Sequence, residues 1–218
     1  MKKLMIILLI IFGLVALSAA NIAFTLKAEG DVTLTRSEET SSVTDGMELQ
    51  NEDLIETKED SFAAVKFVDG SSVVKVFPRS LLTIKATVSE DNKLNKTNYL
   101  NSGEVWAKVS RQTGDFEIDT PTTVVSVKGT RLQVKVDEAG ATTVNTFSGV
   151  VEMKNKGDGK SASIGAGQNA TSTGEGEIEV VEGNSAEEDY EDDSDDKTLR
   201  INLQNADGEN KTIIINFE

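Results

Sequence analysis

Cysteine and histidine are both absent from the 218 residues, and each absence closes off chemistry. Without cysteine there is no thiol nucleophile, no disulfide and no thiolate metal ligand. Without histidine the commonest zinc ligand and the usual neutral-pH general base are gone. An enzyme built from this chain would have to run on carboxylates, lysine, serine or tyrosine. The missing cysteine also excludes a lipoprotein-type anchor, whose lipid is carried on that residue. Positive charge is scarce: 22 basic against 37 acidic side chains give a net charge of −15. Setting Lys2 and Lys3 aside leaves 20 basic side chains and a charge of −17. Such a surface repels phosphate backbones and anionic lipid, so no nucleic-acid partner is expected; cations or a basic partner are favoured. No cofactor and no metal site are expected.

Long apolar runs are missing except at the N-terminus. There Met1-Lys2-Lys3 precedes an unbroken apolar stretch from Leu4 to Leu17, and Ser18-Ala19-Ala20 supplies the small residues an export peptidase prefers. Residues 1–20 therefore read as a secretory signal cleaved near Ala20. The alternative is an uncleaved anchor, since Leu4 to Ala20 is seventeen residues, near the lower limit of about 17 for crossing a bilayer. Both readings place the rest outside the cytoplasm. It is periplasmic or secreted when the segment is cleaved, and anchored to the inner membrane by residues 4–20 when it is not.

What fills the remainder is valine, threonine and glycine. Residues 119–136, DTPTTVVSVKGTRLQVKV, hold nine Val or Thr in eighteen, branched side chains that suit a pleated sheet better than a helix. Pro121, lacking an amide hydrogen, marks a strand start, and Lys128-Gly129 separates residues 122–127 from residues 130–136. Leu132, Val134 and Val136 then alternate with Arg131, Gln133 and Lys135, the period of a sheet wetted on one side. The same grammar recurs: Ala63, Val65 and Phe67 form one row, Asp69-Gly70 is a hairpin corner, and Leu82, Ile84 and Ala86 form another row. Residues 89–98 read as a polar exposed loop, and residues 104–109 set Val105, Ala107 and Val109 against Glu104, Trp106 and Lys108. Gly30, Gly46, Gly70, Gly103 and Gly149 lead into such runs at spacings of 16, 24, 33 and 46. That is not the fixed period of a propeller or regular repeat array. The expected fold is all-β, an irregular β-solenoid or β-roll of short strands over residues 24–173.

Beyond it the composition changes. Residues 187–196 carry eight acidic side chains in ten, a density that cannot bury surface, so residues 174–197 are expected to be a disordered acidic linker. Residues 198–218 alternate cleanly around Ala206-Asp207-Gly208-Glu209 and predict a C-terminal β-hairpin. An isolated hairpin is marginal in water, so it is expected to dock on the main block or on a partner's sheet edge.

Several pieces occur in an ordered series: Phe67-Val68-Asp69-Gly70-Ser71; Pro78 with Ser80, Leu82 and Ile84; Gly103-Glu104-Val105-Trp106; Thr120-Pro121-Thr122 through Val127-Lys128-Gly129-Thr130; Gly149-Val150-Val151-Glu152; and Gly165-Ala166-Gly167-Gln168. Their order and spacing over roughly residues 27–170 resemble FecR-like domains. The resemblance implies a short all-β, solenoid-like module of the periplasm or bacterial surface. In the iron-dicitrate regulator that names the family, such a module sits behind a transmembrane helix and relays a signal from an outer-membrane transporter to a cytoplasmic sigma factor. There a sigma-binding arm precedes the helix. Here only Met1 to Lys3 precede the apolar run, so the external module alone is expected. No catalytic residue comes with the family.

Trp106 is the candidate ligand-binding residue: an outward indole would stack on a sugar ring of a glycan, although packing under a loop gives the same pattern. Asp45, Asp53, Asp60 and Asp69 recur near turns, where aspartate bonds to nearby backbone. Glu117 and Asp119 lie two apart on one strand face, spacing compatible with an acid pair. The expected function is that of an exported, non-enzymatic module that binds or scaffolds a protein or glycan at the cell envelope. The alternatives are a membrane-anchored signal relay and, a distant third, a carboxylate-based polysaccharide hydrolase using Glu117.

Overall fold

The computed structural model describes residues 20–110, residues 114–183 and the strands Thr198–Gln204 and Asn210–Asn216. The N-terminal signal or anchor expected over residues 1–20 falls outside the described residues except at Ala20, as does the acidic stretch at residues 187–196.

Twenty strands and no helix occupy the described residues. The first nine are β1 (Asn21–Glu29), β2 (Val32–Arg36), β3 (Glu39–Ser42), β4 (Glu48–Gln50), β5 (Leu54–Thr57), β6 (Phe62–Phe67), β7 (Ser72–Val76), β8 (Ser80–Thr83) and β9 (Ala86–Val88). The rest are β10 (Leu94–Val109), β11 (Phe116–Asp119), β12 (Thr123–Val127), β13 (Arg131–Val136), β14 (Thr142–Ser148), β15 (Val150–Asn155), β16 (Ser161–Gly165), β17 (Gln168–Ser172), β18 (Glu179–Glu182), β19 (Thr198–Gln204) and β20 (Asn210–Asn216).

Pairing arranges the first eighteen in two facing layers. The first runs β4, β1, β6, β7, β10, β13, β14, β17, β18. The second runs β3, β2, β5, β8, β10, β11, β12, β15, β16, with β9 also on β10. The sixteen-residue β10 belongs to both. Its N-terminal half pairs with β8 and β11 in the second layer, its C-terminal half with β7 and β13 in the first. The crossing is made at Gly103, whose φ of +91° is open to glycine alone without strain. A Cβ there would come within 2.6 Å of the Arg79 carbonyl and 2.5 Å of the Ser80 Cα.

The all-β expectation holds, as a curled antiparallel sheet. The β10–β11 pair is parallel and the other pairs are antiparallel, so the winding is that of a roll rather than of stacked parallel coils. The alternating rows read from sequence meet between the layers. Val65, Phe67, Val74, Val76, Val105, Ala107, Leu132 and Val134 from one side pack with Leu34, Ile55, Leu82, Leu100, Ile118, Val125, Val151 and Met153 from the other. At roughly 25 cal/mol per Å² of apolar surface removed from water, this continuous slab is the main source of stability. The corner at Asp69-Gly70 joins β6 to β7 as the residues predict, with Gly70 at φ +69°.

Two boundaries differ from expectation. Residues 89–98 are not one exposed loop: β10 begins at Leu94, and Lys96 and Asn98 are fully buried on its inner face. The strand continues through polar residues because β9 and β11 supply backbone partners on both sides. Residues 174–183 likewise belong to the roll and not to a linker. Ile178 is buried in the core and β18 pairs with β17 from Thr171↔Glu179 to Gln168↔Glu182. The expected hairpin is present as β19 paired with β20.

Candidate functional site

Alternation gives the first layer an outer face that is chemically unlike the rest of this acidic chain. Core residues Val105 and Ala107 flank Trp106, so the indole points away from the core. Strand register continues this outer row as Ala64, Lys75, Trp106, Gln133, Asn145 and Asn169. A second outer row holds Phe24, Lys66, Val73, Lys108 and Arg131, with Phe147 at its end. On the other flank the Phe62 and Phe77 rings meet edge to face at 5.8 Å. Four of the eight phenylalanines and the only tryptophan thus share a face with a cluster of lysine and arginine.

Of the two readings of Trp106, an outward platform and a packed side chain, the geometry offers no open platform. The residue is fully buried, and Lys75 Nζ stands 4.9 Å from the centre of its ring, a cation over the π face. Lys75, itself about 1% exposed, caps the surface a sugar would need. Beside it Gln133 donates to Glu104 Oε1 at 2.7 Å and accepts from Asn145 Nδ2. The row is a packed polar-aromatic seam, and the burial of its centre is what period-two reading alone misses.

The aspartates separate into different roles. Asp45 Oδ1 accepts the Ala28 amide at 2.8 Å, a turn contact. Asp60 sits in a positive-φ corner at +51°. Asp53 is different: its carboxylate is fully buried and accepts Arg36 Nε at 2.7 Å, Arg36 Nη2 at 2.6 Å and the Gln50 amide at 2.7 Å. That two-pronged pair, led by the hydrogen bonds to Asp53, raises the Arg36 pKa above its usual value. Asp69 is also more than a corner. Lys96 Nζ reaches its Oδ2 at 2.6 Å, and Ser71 donates both its amide and hydroxyl to Oδ1.

Glu117 and Asp119 are not assembled into an acid pair. Glu117 accepts the Ser126 hydroxyl at 3.1 Å, while Asp119 faces Lys156 Nζ at 2.5 Å. Each carboxylate is held by its own partner. Among the described residues no group of three or more Asp or Glu side chains is placed to hold a metal ion.

Among the described residues the first layer ends in β18, whose four residues are all exposed. It pairs with β17 on one side, and Val180 and Val181 are 36% and 48% exposed. A margin strand of this kind presents backbone donors and acceptors to any added strand.

Residues 53–152 match the family described as FecR protein, the segment from the start of β5 through the first half of β15, centred on β10. Two crystal structures from Parabacteroides distasonis, both provisionally described as anti-sigma factors, are similar in fold. One, at 2.50 Å, superposes with a TM-score of 0.51 at 19% identity, over 60% of this chain and 59% of its own. The other, at 1.65 Å, gives 0.52 at 18% identity over 71% of this chain and 70% of its own. The chain therefore spans about three fifths of the first structure and about 70% of the second, and identities this low speak for the fold alone. No curated protein matches the sequence.

Proposed function

Because residues 53–152 form a FecR domain, we propose that this chain is a non-catalytic, extracytoplasmic module that works at the cell envelope by holding a protein partner. The observation that carries the reading is the margin strand β18, with Val180 and Val181 exposed on its two faces between Glu179 and Glu182. A partner strand laid along it gains main-chain hydrogen bonds, and the two valines supply side-chain contacts of limited specificity. A protein is favoured over a glycan because the indole that would have stacked on sugar lies under Lys75. The test is a photo-crosslinking residue in place of Val181, activated in the envelope fraction of the native host. A discrete protein adduct that disappears when Val180 is replaced by Pro supports the reading; recovery of neither protein nor glycan overturns it.

A membrane-anchored signal relay is the second reading, favoured by the fold shared with two structures provisionally described as anti-sigma factors. Among the described residues no helix is long and apolar enough to cross a membrane; the apolar run that would serve as an anchor lies outside them. Mass spectrometry of the native N-terminus separates the two. A chain beginning at Asn21 is a free module, and one retaining Met1 or Lys2 is anchored.

A further inference from the structure

We propose that the C-terminal hairpin, β19 paired with β20, docks as a third layer on the outer face of the first sheet, over Trp106. Trp106, Ala64 and Lys75 are at most 1% exposed, yet they belong to the face turned away from the apolar core. In a bare two-layer roll the outward side of a tryptophan meets water, because neighbours in the same sheet shield a side chain mainly at its flanks. Burial this complete requires more chain above the sheet. Lys75 and Gln133, on either side of Trp106, each make further contacts within the chain.

Charge, reach and pattern select the hairpin as the cover. Residues 1–19 bring Lys2 and Lys3, of the same sign as Lys75 and Lys108 on the face. The hairpin instead follows residues 187–196, eight of ten acidic, which a basic face attracts. The roll ends with β18 at the margin of this same layer. Fifteen residues separate Glu182 from Thr198, a span of up to about 50 Å when extended. Four strand spacings, about 19 Å, separate β18 from β10. The hairpin register sets Leu199 opposite Ile215 and Ile201 opposite Ile213, so alternation gives the ribbon one apolar face. A lone two-stranded ribbon is marginal in water, and the aromatic row is the surface against which it gains stability.

The single tryptophan reports the outcome directly. In the full chain, Ile201→Glu combined with Ile213→Glu should move Trp106 emission to the red and raise its acrylamide quenching constant several-fold, with the strand signal in the far ultraviolet retained. Independently of how that variant folds, zero-length carbodiimide coupling of the unaltered full chain should join Lys108 to a carboxylate within residues 187–196 of the same chain. Unchanged quenching in the double variant overturns the proposal. Coupling that gives only chain-to-chain products overturns it in favour of a second copy as the cover. Quenching that rises only when residues 1–19 are removed overturns it in favour of the N-terminal segment.

Discussion

Lys96 Nζ lies 2.6 Å from Asp69 Oδ2, tying the start of β10 to the corner of the β6–β7 hairpin. The lysine side chain is fully buried and its ammonium stands 5.7 Å from the Phe67 ring, whereas Asp69 keeps 28% of its side chain in solvent. The two partners are therefore not equivalent. Asp69→Asn leaves a buried charge without its counter-ion and should destabilise the fold by about 3 kcal/mol at neutral pH. Lys96→Met removes the buried charge and leaves a carboxylate able to hydrate, and should cost clearly less. Urea unfolding of both variants checks the order; equal losses would mean that the pair acts only through packing.

The same pair sets an acid limit. Burial alone would raise the Asp69 pKa, but the bonds from Lys96 and Ser71 outweigh it and hold the carboxyl below its usual value. A carboxylate whose folded pKa is depressed contributes stability above its unfolded value, near 3.9, and loses that contribution as pH falls through the folded value. Asp69→Asn should accordingly flatten the fall in stability below about pH 4. A variant whose acid limb overlays the parent's would show that other carboxylates govern it.

Gly103→Ala tests the pivot of β10. The new Cβ would press on backbone atoms at Ser80 and Arg79 that cannot rotate away, and the φ of +91° is strained for any other residue. Strain and overpacking together should cost about 3 kcal/mol or more. Gly46→Ala is the control, having a similar φ of +74° but open space around its Cβ, and should cost about 1 kcal/mol. Thermal unfolding of the two variants measures the difference, which isolates the crossing between layers from left-handed strain.

The contrast between these positions explains what the sequence made legible. Asp69-Gly70 could be read as a corner because the cause is local: a residue able to take positive φ between two alternating runs. The inner rows of β6, β10 and β13 could be read for the same reason. Lys96 could not, because its burial depends on Asp69, 27 positions away, and neither could Asn98, because both sit against a parallel neighbour, β11, that no local pattern announces. Trp106 was placed on the correct side of its strand. Whether that side meets water is decided by what lies above the sheet, and strand periodicity carries no information about a third layer. Ile178 lies among glycine and glutamate, residues 174–177, and that composition hides the strand that follows it.

Asp158 offers a second titration, at the far end of the roll. Its carboxylate accepts the amides of Lys160 at 3.1 Å and Gly176 at 2.9 Å and the Asn155 side chain at 3.1 Å, and these bonds, with the Lys160 charge, bring its pKa down to about 2. It thus clamps the turn after β15 to the segment entering β18. The clamp is complete above the unfolded value near 3.9 and is released as pH falls toward 2. Carboxyl-carbon NMR should show a midpoint near 2, with the Gly176 amide shift following the same curve. A midpoint near 4 would mean that the two amides bind the carboxylate too weakly to fix this corner.

Trp106→Ala distinguishes a packing residue from a ligand platform. A fully buried indole beneath a lysine removes far more surface from water than an exposed one, and truncation to alanine leaves a cavity that a pleated sheet cannot collapse to fill. The expected loss is about 3–5 kcal/mol, seen as a large drop in Tm. Trp106→Phe keeps a π face for Lys75 and most of the volume, and should recover much of that loss. An exposed platform would behave in the opposite way, leaving the Tm unchanged while abolishing retention on a glycan column. Lys75→Met adds the decisive comparison. If the ammonium lies over the ring as the 4.9 Å separation indicates, the effects of Lys75→Met and Trp106→Ala will not add, because the second change has no partner left to lose. Strict additivity would place the two side chains in independent environments.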